Sequence, residues 1–255
     1  MHKNNLISDP ASRSIRKMQK CDLILQFLRQ HVWSTQNILQ QVMGLASRQA
    51  AHKSLKALES QGLLRRHTFD ALGGKLTVWG ITYQGQAHAF QLGSESLTNS
   101  YFEPSRVSEQ TIRHQLDLQK LRLTAEKNGW SNWVDGDRLD ALDKNQKRPD
   151  AIAHDPIGRI IAIECERSFK SLKRYEQILI QYLKWLKSGE IHAVIWVSPT
   201  TEIAKRLQVI LTSISSVRVS GQKVLIEPER HHAHLHFCSY DEWNGFLVQH
   251  ELKDD

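Results

Sequence analysis

Cysteine is scarce. The 255 residues hold three, Cys21, Cys165 and Cys238, far apart and without disulfide-framework or metal-ligand spacing. That argues against a stapled secreted scaffold and for reduced, mostly buried thiols. Long apolar runs are missing too, and none approaches the length of a membrane span. The opening MHKNNLISDP lacks the apolar core of a signal peptide. The expectation is a cytoplasmic protein with no membrane segment. Repeats and low-complexity tracts are absent. Acidic residues are in the minority, 27 against 34 Lys and Arg, so the net charge is +7. Such a balance favours an anionic partner, nucleic acid first. With 40% hydrophobic and 24% charged residues, the composition is that of a folded chain.

The first third alternates helical patterns with capping residues. Residues 1–15 are polar and read as a frayed lead-in. Over 17–31, Leu23, Ile24, Phe27 and Leu28 recur at helical spacing. Ser34 is positioned to cap a second helix, with Ile38, Leu39 and Val42 inward and Gly44 at its end. Ser47 opens a third over 47–60, with Ala50, Ala51, Leu55 and Leu58 inward and Gly62 behind it. Two β-rich runs then flank Ala71-Leu72-Gly73-Gly74, the pattern of a hairpin, and Thr82 caps a further helix. Three helices and a hairpin are the order of a winged helix-turn-helix. The third helix would enter the major groove, presenting Arg48, Gln49, His52, Lys53 and Lys56 beside the cap Ser47. Arg48 suits guanine, Gln49 suits adenine, and the lysines suit phosphate. Arg65, Arg66 and Lys75 place charge on the wing. Double-stranded DNA is the expected partner. A solvated basic face used for protein contacts is the alternative.

Residues 91–100 are polar and rich in Ser, Gly and Asn, and read as a linker, with Pro104 beyond. The domains are expected over 17–95 and 105–248. The second opens with a helix over 107–128. A strand and turn follow over 130–139, then two strands joined by Asp155-Pro156-Ile157-Gly158. A Lys- and Arg-rich helix over 169–187 would bury Leu172, Tyr175, Leu179, Tyr182, Leu183 and Leu186. The run 191–197 is almost wholly apolar, as for a strand covered on both faces. A helix from Thr200 or Thr201 and late strands at 224–226 and 233–237 complete the pattern.

The chemistry concentrates in RPDAIAHDPIGRIIAIECERSFKSLKRY, residues 148–175. Pro149-Asp150 starts one strand, and Glu164-Cys165-Glu166 ends the next. Strand alternation puts Glu164 and Glu166 on one face and Cys165 on the other. Clustered carboxylates repel one another at low effective dielectric, and a divalent cation relieves that. Mg²⁺ or Mn²⁺ suits such oxygen donors. Helix, three strands, helix, strand with this signature is the order of the PD-(D/E)xK, restriction-endonuclease-like core, a mixed sheet flanked by helices. Asp150 and Glu164, with the backbone carbonyl of Cys165, are the expected metal ligands. Glu166 stands where that pattern carries lysine, so Lys170 or Lys173 would have to supply the positive charge. His114 and Asp117 on the preceding helix are candidate supporting groups.

Taken together, the chain resembles the MobC family of plasmid mobilisation proteins, within the replication-relaxation group. The matching residues are Val78-Trp79-Gly80-Ile81-Thr82 with Gly85, Arg148-Pro149-Asp150, Ile163-Glu164-Cys165-Glu166-Arg167, Lys170-Ser171, Lys173-Arg174-Tyr175 and Tyr182. The resemblance implies a relaxase or nickase that cuts one strand at a plasmid transfer origin with Mg²⁺ or Mn²⁺ and an accessory mobilisation protein. A competing motif is His231-His232-Ala233-His234-Leu235-His236 near Tyr240, since His-apolar-His on a strand is the metal motif of tyrosine-dependent relaxases. The rival function is a DNA-binding replication or transcription regulator whose nuclease-like core is inert.

Overall fold

A computed structural model describes residues 9–90, 100–139, 147–219 and 221–249. The chain is a mixed α/β protein forming two compact units, residues 1–119 and 120–255. The expected linker lies outside the described residues except for Ser100.

In the first unit the elements run α1 (Pro10–His31), β1 (Trp33–Thr35), α2 (Gln36–Val42), α3 (Arg48–Ser60), β2 (Leu64–Ala71), β3 (Gly74–Ile81) and α4 (Tyr83–Phe90). Helix α1 begins earlier than the apolar spacing implies. Asp9 caps it by accepting from the Ala11 and Ser12 amides, and Pro10 fits the first turn, where no amide donor is required. Leu23, expected inward, is 49% exposed, while Ile24, Leu25 and Leu28 carry the burial. The cap of α2 is Thr35 rather than Ser34. Ser34 sits instead in β1, fully buried, and donates to Gln119 Oε1 at 2.6 Å. Helix α3 starts where expected, but Ala50 is exposed and only Ala51, Leu55 and Leu58 face the core. Each fully buried Leu there stabilises by roughly 1.5–3 kcal/mol.

The three strands form one antiparallel sheet in the order β1-β3-β2. The β2–β3 turn is Leu72-Gly73, with φ of 59° and 82°. Two successive left-handed residues match the twist of a tight hairpin. Thr82 caps α4 through the Gly85 amide, as its position implied.

Helix α5 (Glu109–Lys127) spans the division between the units. Gln119 belongs to the first because its side chain also donates to the Trp33 carbonyl at 2.9 Å. The second unit continues with β4 (Ser131–Asp135), a 3₁₀ turn at Gly136–Arg138, β5 (Ala151–His154), β6 (Ile160–Cys165), α6 (Leu172–Ser188), β7 (Ala193–Ser198), α7 (Thr201–Thr212), β8 (Ser216–Val219), β9 (Gln222–Leu225), α8 (Pro228–His231), a 3₁₀ turn at His232–His234, β10 (Leu235–Ser239) and α9 (Trp243–Gln249). Five strands make a mixed sheet in the order β10-β7-β6-β5-β4. Neighbours β6, β7 and β10 run parallel, and β4, β5 and β6 antiparallel. All six residues of β7 are buried, as the unbroken apolar run required. Tyr175, Tyr182, Leu179 and Trp196 pack in one core with Leu207 and Leu211 of α7.

Two expectations here are corrected. The basic helix starts at Leu172, capped by Ser171, whose hydroxyl accepts from the Arg174 amide. Phe169 and Lys170 therefore precede the helix, and Leu172 is 53% exposed rather than buried. Residues 233–234 lie in the 3₁₀ turn, not a strand.

Candidate nucleic-acid interface and carboxylate cluster

The first unit carries an exposed basic face. Ser47 accepts the Ala50 amide at 3.3 Å and so fixes the start of α3. With Ala51, Leu55 and Leu58 inward, the helical period leaves Arg48, Gln49, His52, Lys53 and Lys56 exposed. Two of them are anchored. His52 Nδ1 lies 3.1 Å from Gln36 Oε1, and its ring stands edge-on to Trp79 at 5.9 Å. Lys56 pairs with Glu59 at 2.7 Å and lies over the Trp79 ring. Arg65 and Arg66 on β2 and Lys75 on β3 are exposed as expected. Among the described residues, Arg48, Lys53, Arg65, Arg66 and Lys75 form no ion pair, so their charge is open to an external anion. His114 and Asp117 lie half-buried on the stretch of α5 that belongs to the first unit.

The second unit buries its chemistry. Asp150 stands just before β5, its amide donating to the Ile163 carbonyl. Its Oδ2 accepts from the Cys165 amide at 2.8 Å, which draws the carboxylate to the end of β6. Glu164, on β6, and Glu166, one residue past its end, are both buried, 2% and 5% exposed. Cys165 stands between them in the chain, its Sγ 3.0 Å from the Tyr240 hydroxyl. Gly136 completes the frame. Its amide donates to the Asp150 carbonyl at 2.9 Å, and a Cβ there would fall 1.8 Å from the Pro149 carbonyl oxygen.

Each glutamate has a private partner. Lys147 Nζ reaches Glu164 Oε1 at 2.8 Å and Oε2 at 3.0 Å, and donates to the Arg148 carbonyl at 2.7 Å. The buried Tyr182 hydroxyl donates to Glu164 Oε1. Glu166 pairs with Lys170, whose backbone amide donates to the Tyr175 hydroxyl at 3.1 Å. Tyr175 thus serves the core and steadies Lys170. Lys173 is exposed on the first turn of α6 and pairs with neither glutamate. Burial, then the charge of Asp150, pushes the Glu164 carboxyl up to about 7, against the pull of Lys147 and Tyr182. Burial pulls the Lys147 ammonium down, but Glu164, Asp150 and Glu166 outweigh it and its pKa rises. The Tyr182 hydroxyl is pushed well up by burial and by Glu164.

Lys147 and the Tyr182 contact are the parts the motif does not announce. Lys147 had one signal, its place in Lys147-Arg148-Pro149-Asp150. Among the described residues, no group of three or more His, Cys, Asp or Glu is arranged to hold a metal ion. The donors Asp150 and Glu164 nevertheless fit a hard cation in kind. Mg²⁺ commonly rests on one or two carboxylates, with waters and phosphate oxygens filling its shell. A buried carboxyl raised by a neighbouring carboxylate is also one that a cation would relieve. The histidine run does not form one strand face. His231 ends α8 and contacts Glu227, His234 sits in the 3₁₀ turn against the His192 carbonyl, and only His236 is on β10. None of the three cysteines is in a disulfide; Cys165 and Cys238 are buried and Cys21 half-buried.

The structure is that of a mixed α/β protein with an exposed basic helix face and a five-stranded mixed sheet that ends in buried, paired glutamates. The family model for replication-relaxation matches residues 25–194, two-thirds of the chain, and the chain belongs to that family. Membership points to a role in plasmid replication or mobilisation. No curated protein and no solved structure matches the chain. No described helix is long and apolar enough to cross a membrane.

Proposed function

We propose that the chain is a metal-dependent plasmid relaxase that docks on a transfer origin and cuts one DNA strand. The helix and hairpin order of the first unit supports a winged helix-turn-helix over 17–95 that binds duplex DNA. The mixed sheet of the second, with Asp150 and Glu164 beside one another, supports a PD-(D/E)xK-like nuclease domain over 105–248. Asp150, Glu164 and the Cys165 carbonyl would hold Mg²⁺ or Mn²⁺. Such an ion, when bound, lowers the pKa of a water and offsets charge on the phosphate. Glu166 orients the attacking water or adds a ligand. Lys147 and Lys170 supply the positive charge that Glu166 displaces from its usual position. The work takes place in the cytoplasm with an accessory mobilisation protein. The observation that carries this reading is the burial of Glu164 and Glu166 beside Asp150 and two lysines. Charged groups are seldom buried unless paired, and functional sites are where such clusters with shifted pKa values gather.

The test is conversion of supercoiled transfer-origin plasmid to open circles by purified protein with Mg²⁺ or Mn²⁺ and the accessory protein. The expected outcome is nicking by the parent, with rates at least about 100-fold lower for Asp150→Ala and Glu164→Ala. Nicking by those variants at the parent rate would sink the reading. One observation favours a second reading, a DNA-binding replication or transcription regulator with an inert core. Both glutamates are already closed by lysines. Origin binding without nicking, accessory protein included, would decide for it.

A further inference from the structure

We infer that Lys147 is the internal counter-ion of the carboxylate cluster and competes with the divalent cation for Glu164. The inference rests on the metal-dependent reading above. An ammonium has three donors. Lys147 donates to Glu164 Oε2 at 3.0 Å and to the Arg148 carbonyl at 2.7 Å, and its charge also lies 2.8 Å from Oε1. The ammonium is thus held by the carboxylate without any ligand. Tyr182 donates to Oε1, so each Glu164 oxygen already carries a protein donor. A cation binding Glu164 would share its oxygens with an ammonium less than about 3 Å away, and repulsion between the two positive charges sets them in competition. Lys170 holds no such position, because its partner is Glu166. The chain geometry allows the exchange. Lys147 lies two residues before the fixed Pro149-Asp150 segment, on a side chain of four flexible carbons. Once displaced, the ammonium stays beside the cluster, where an incoming phosphate would need positive charge. Lys147 is thus a positioning residue at rest and a charge donor when the site is loaded.

Direct titration of the full chain with Mn²⁺, following free ion by electron paramagnetic resonance, tests this. Lys147→Met is expected to bind Mn²⁺ roughly tenfold more tightly than the parent, since a competing unit charge is gone. Lys147→Gln keeps a donor without the charge and serves if the Met variant does not fold. A thermal melt gives the second readout. In chelator Lys147→Met melts below the parent, and Mn²⁺ restores more of its stability than it adds to the parent. A merely structural lysine would lower both melts equally. Mn²⁺ binding by the variants no tighter than the parent overturns the inference. If the parent binds Mn²⁺ and Asp150→Ala does not, that failure leaves the metal-dependent reading standing. If neither parent nor variant binds Mn²⁺, both fall.

Discussion

The two units use the same residue types in opposite ways. On α3 and the β2–β3 hairpin, arginine and lysine stand in water, and most form no ion pair among the described residues. Around β6, Glu164 and Glu166 lie out of water, and each has a lysine partner, half-buried Lys147 for one and exposed Lys170 for the other. An exposed cation is cheap to keep and gains energy mainly when a phosphate arrives, in proportion to the counterions released. A buried carboxylate must be matched whether or not a ligand is present, because an unmatched one costs several kcal/mol. Contributions on the open face should therefore add and screen with salt. Those in the buried cluster should couple and depend on pH.

The sharpest attack on the buried side leaves every charge in place. Gly136 lets the end of β4 lie against Pro149-Asp150. A methyl group there would fall 1.8 Å from the Pro149 carbonyl oxygen, so backbone must move. Gly136→Ala is expected to cost about 4 kcal/mol in chemical denaturation. It should also displace Asp150 from the Cys165 amide. A loss under about 1 kcal/mol would mean the segment gives way freely and the cluster is not rigidly framed.

Next in size is the pH response of Glu164. Its carboxyl rises from 4.5 to about 7 on folding. The folded chain therefore keeps a proton that the unfolded chain has lost, and the stability this gives is full below about pH 4.5. It is lost as pH climbs to about 7, by on the order of 3 kcal/mol in cation-free buffer. Glu164→Gln does not titrate, so its stability should not show that fall. His232 acts in the opposite direction over part of the same range, since burial lowers its pKa, but parent and variant share it. The lowered carboxyls of Asp9, Glu202 and Glu242 act below pH 4.5. The difference between the two pH profiles thus isolates Glu164. Parallel profiles would show that the cluster stays ionised throughout.

Local features were legible in the sequence where one period or one cap decides them. Helix α3 follows from Ser47 and the spacing of Ala51, Leu55 and Leu58. Strand β7 follows from its unbroken apolar run, and the hairpin from Gly73. Features set by distant partners were not legible. Ser34 has the chemistry of a cap, but Gln119, 85 residues on, gives it a buried partner in β1. Ser171 competes with the residues before it for the start of α6 and wins because its hydroxyl reaches Arg174 N. The histidine run alternates like a strand, yet 232–234 turn as a 3₁₀ helix. Lys147 was marked only by its nearness to Pro149-Asp150, and nothing in Lys147-Arg148 says that Glu164 is its partner. Motif spacing locates the carboxylates, and folding alone chooses which cation meets them.

The smallest effects belong to the open face, and there the expected pattern is additivity. Arg48→Ala and Lys53→Ala should each weaken binding to transfer-origin duplex by about 1 kcal/mol, with folding stability within about 0.5 kcal/mol of the parent. If Lys53 meets a phosphate, its loss also reduces the slope of log affinity against log salt by about 1, equally for specific and random duplex. Arg48 reads differently if it meets a base edge. Its loss then narrows the gap between origin and random sequence. The double variant should lose the sum of the two within about 0.5 kcal/mol, since the two side chains share no ion-pair partner among the described residues. Strong coupling between them, or a binding loss that ignores salt, would show that this face is not a set of independent charges facing phosphates. It would then resemble the matched cluster around Glu164, and the contrast between the two units would fail.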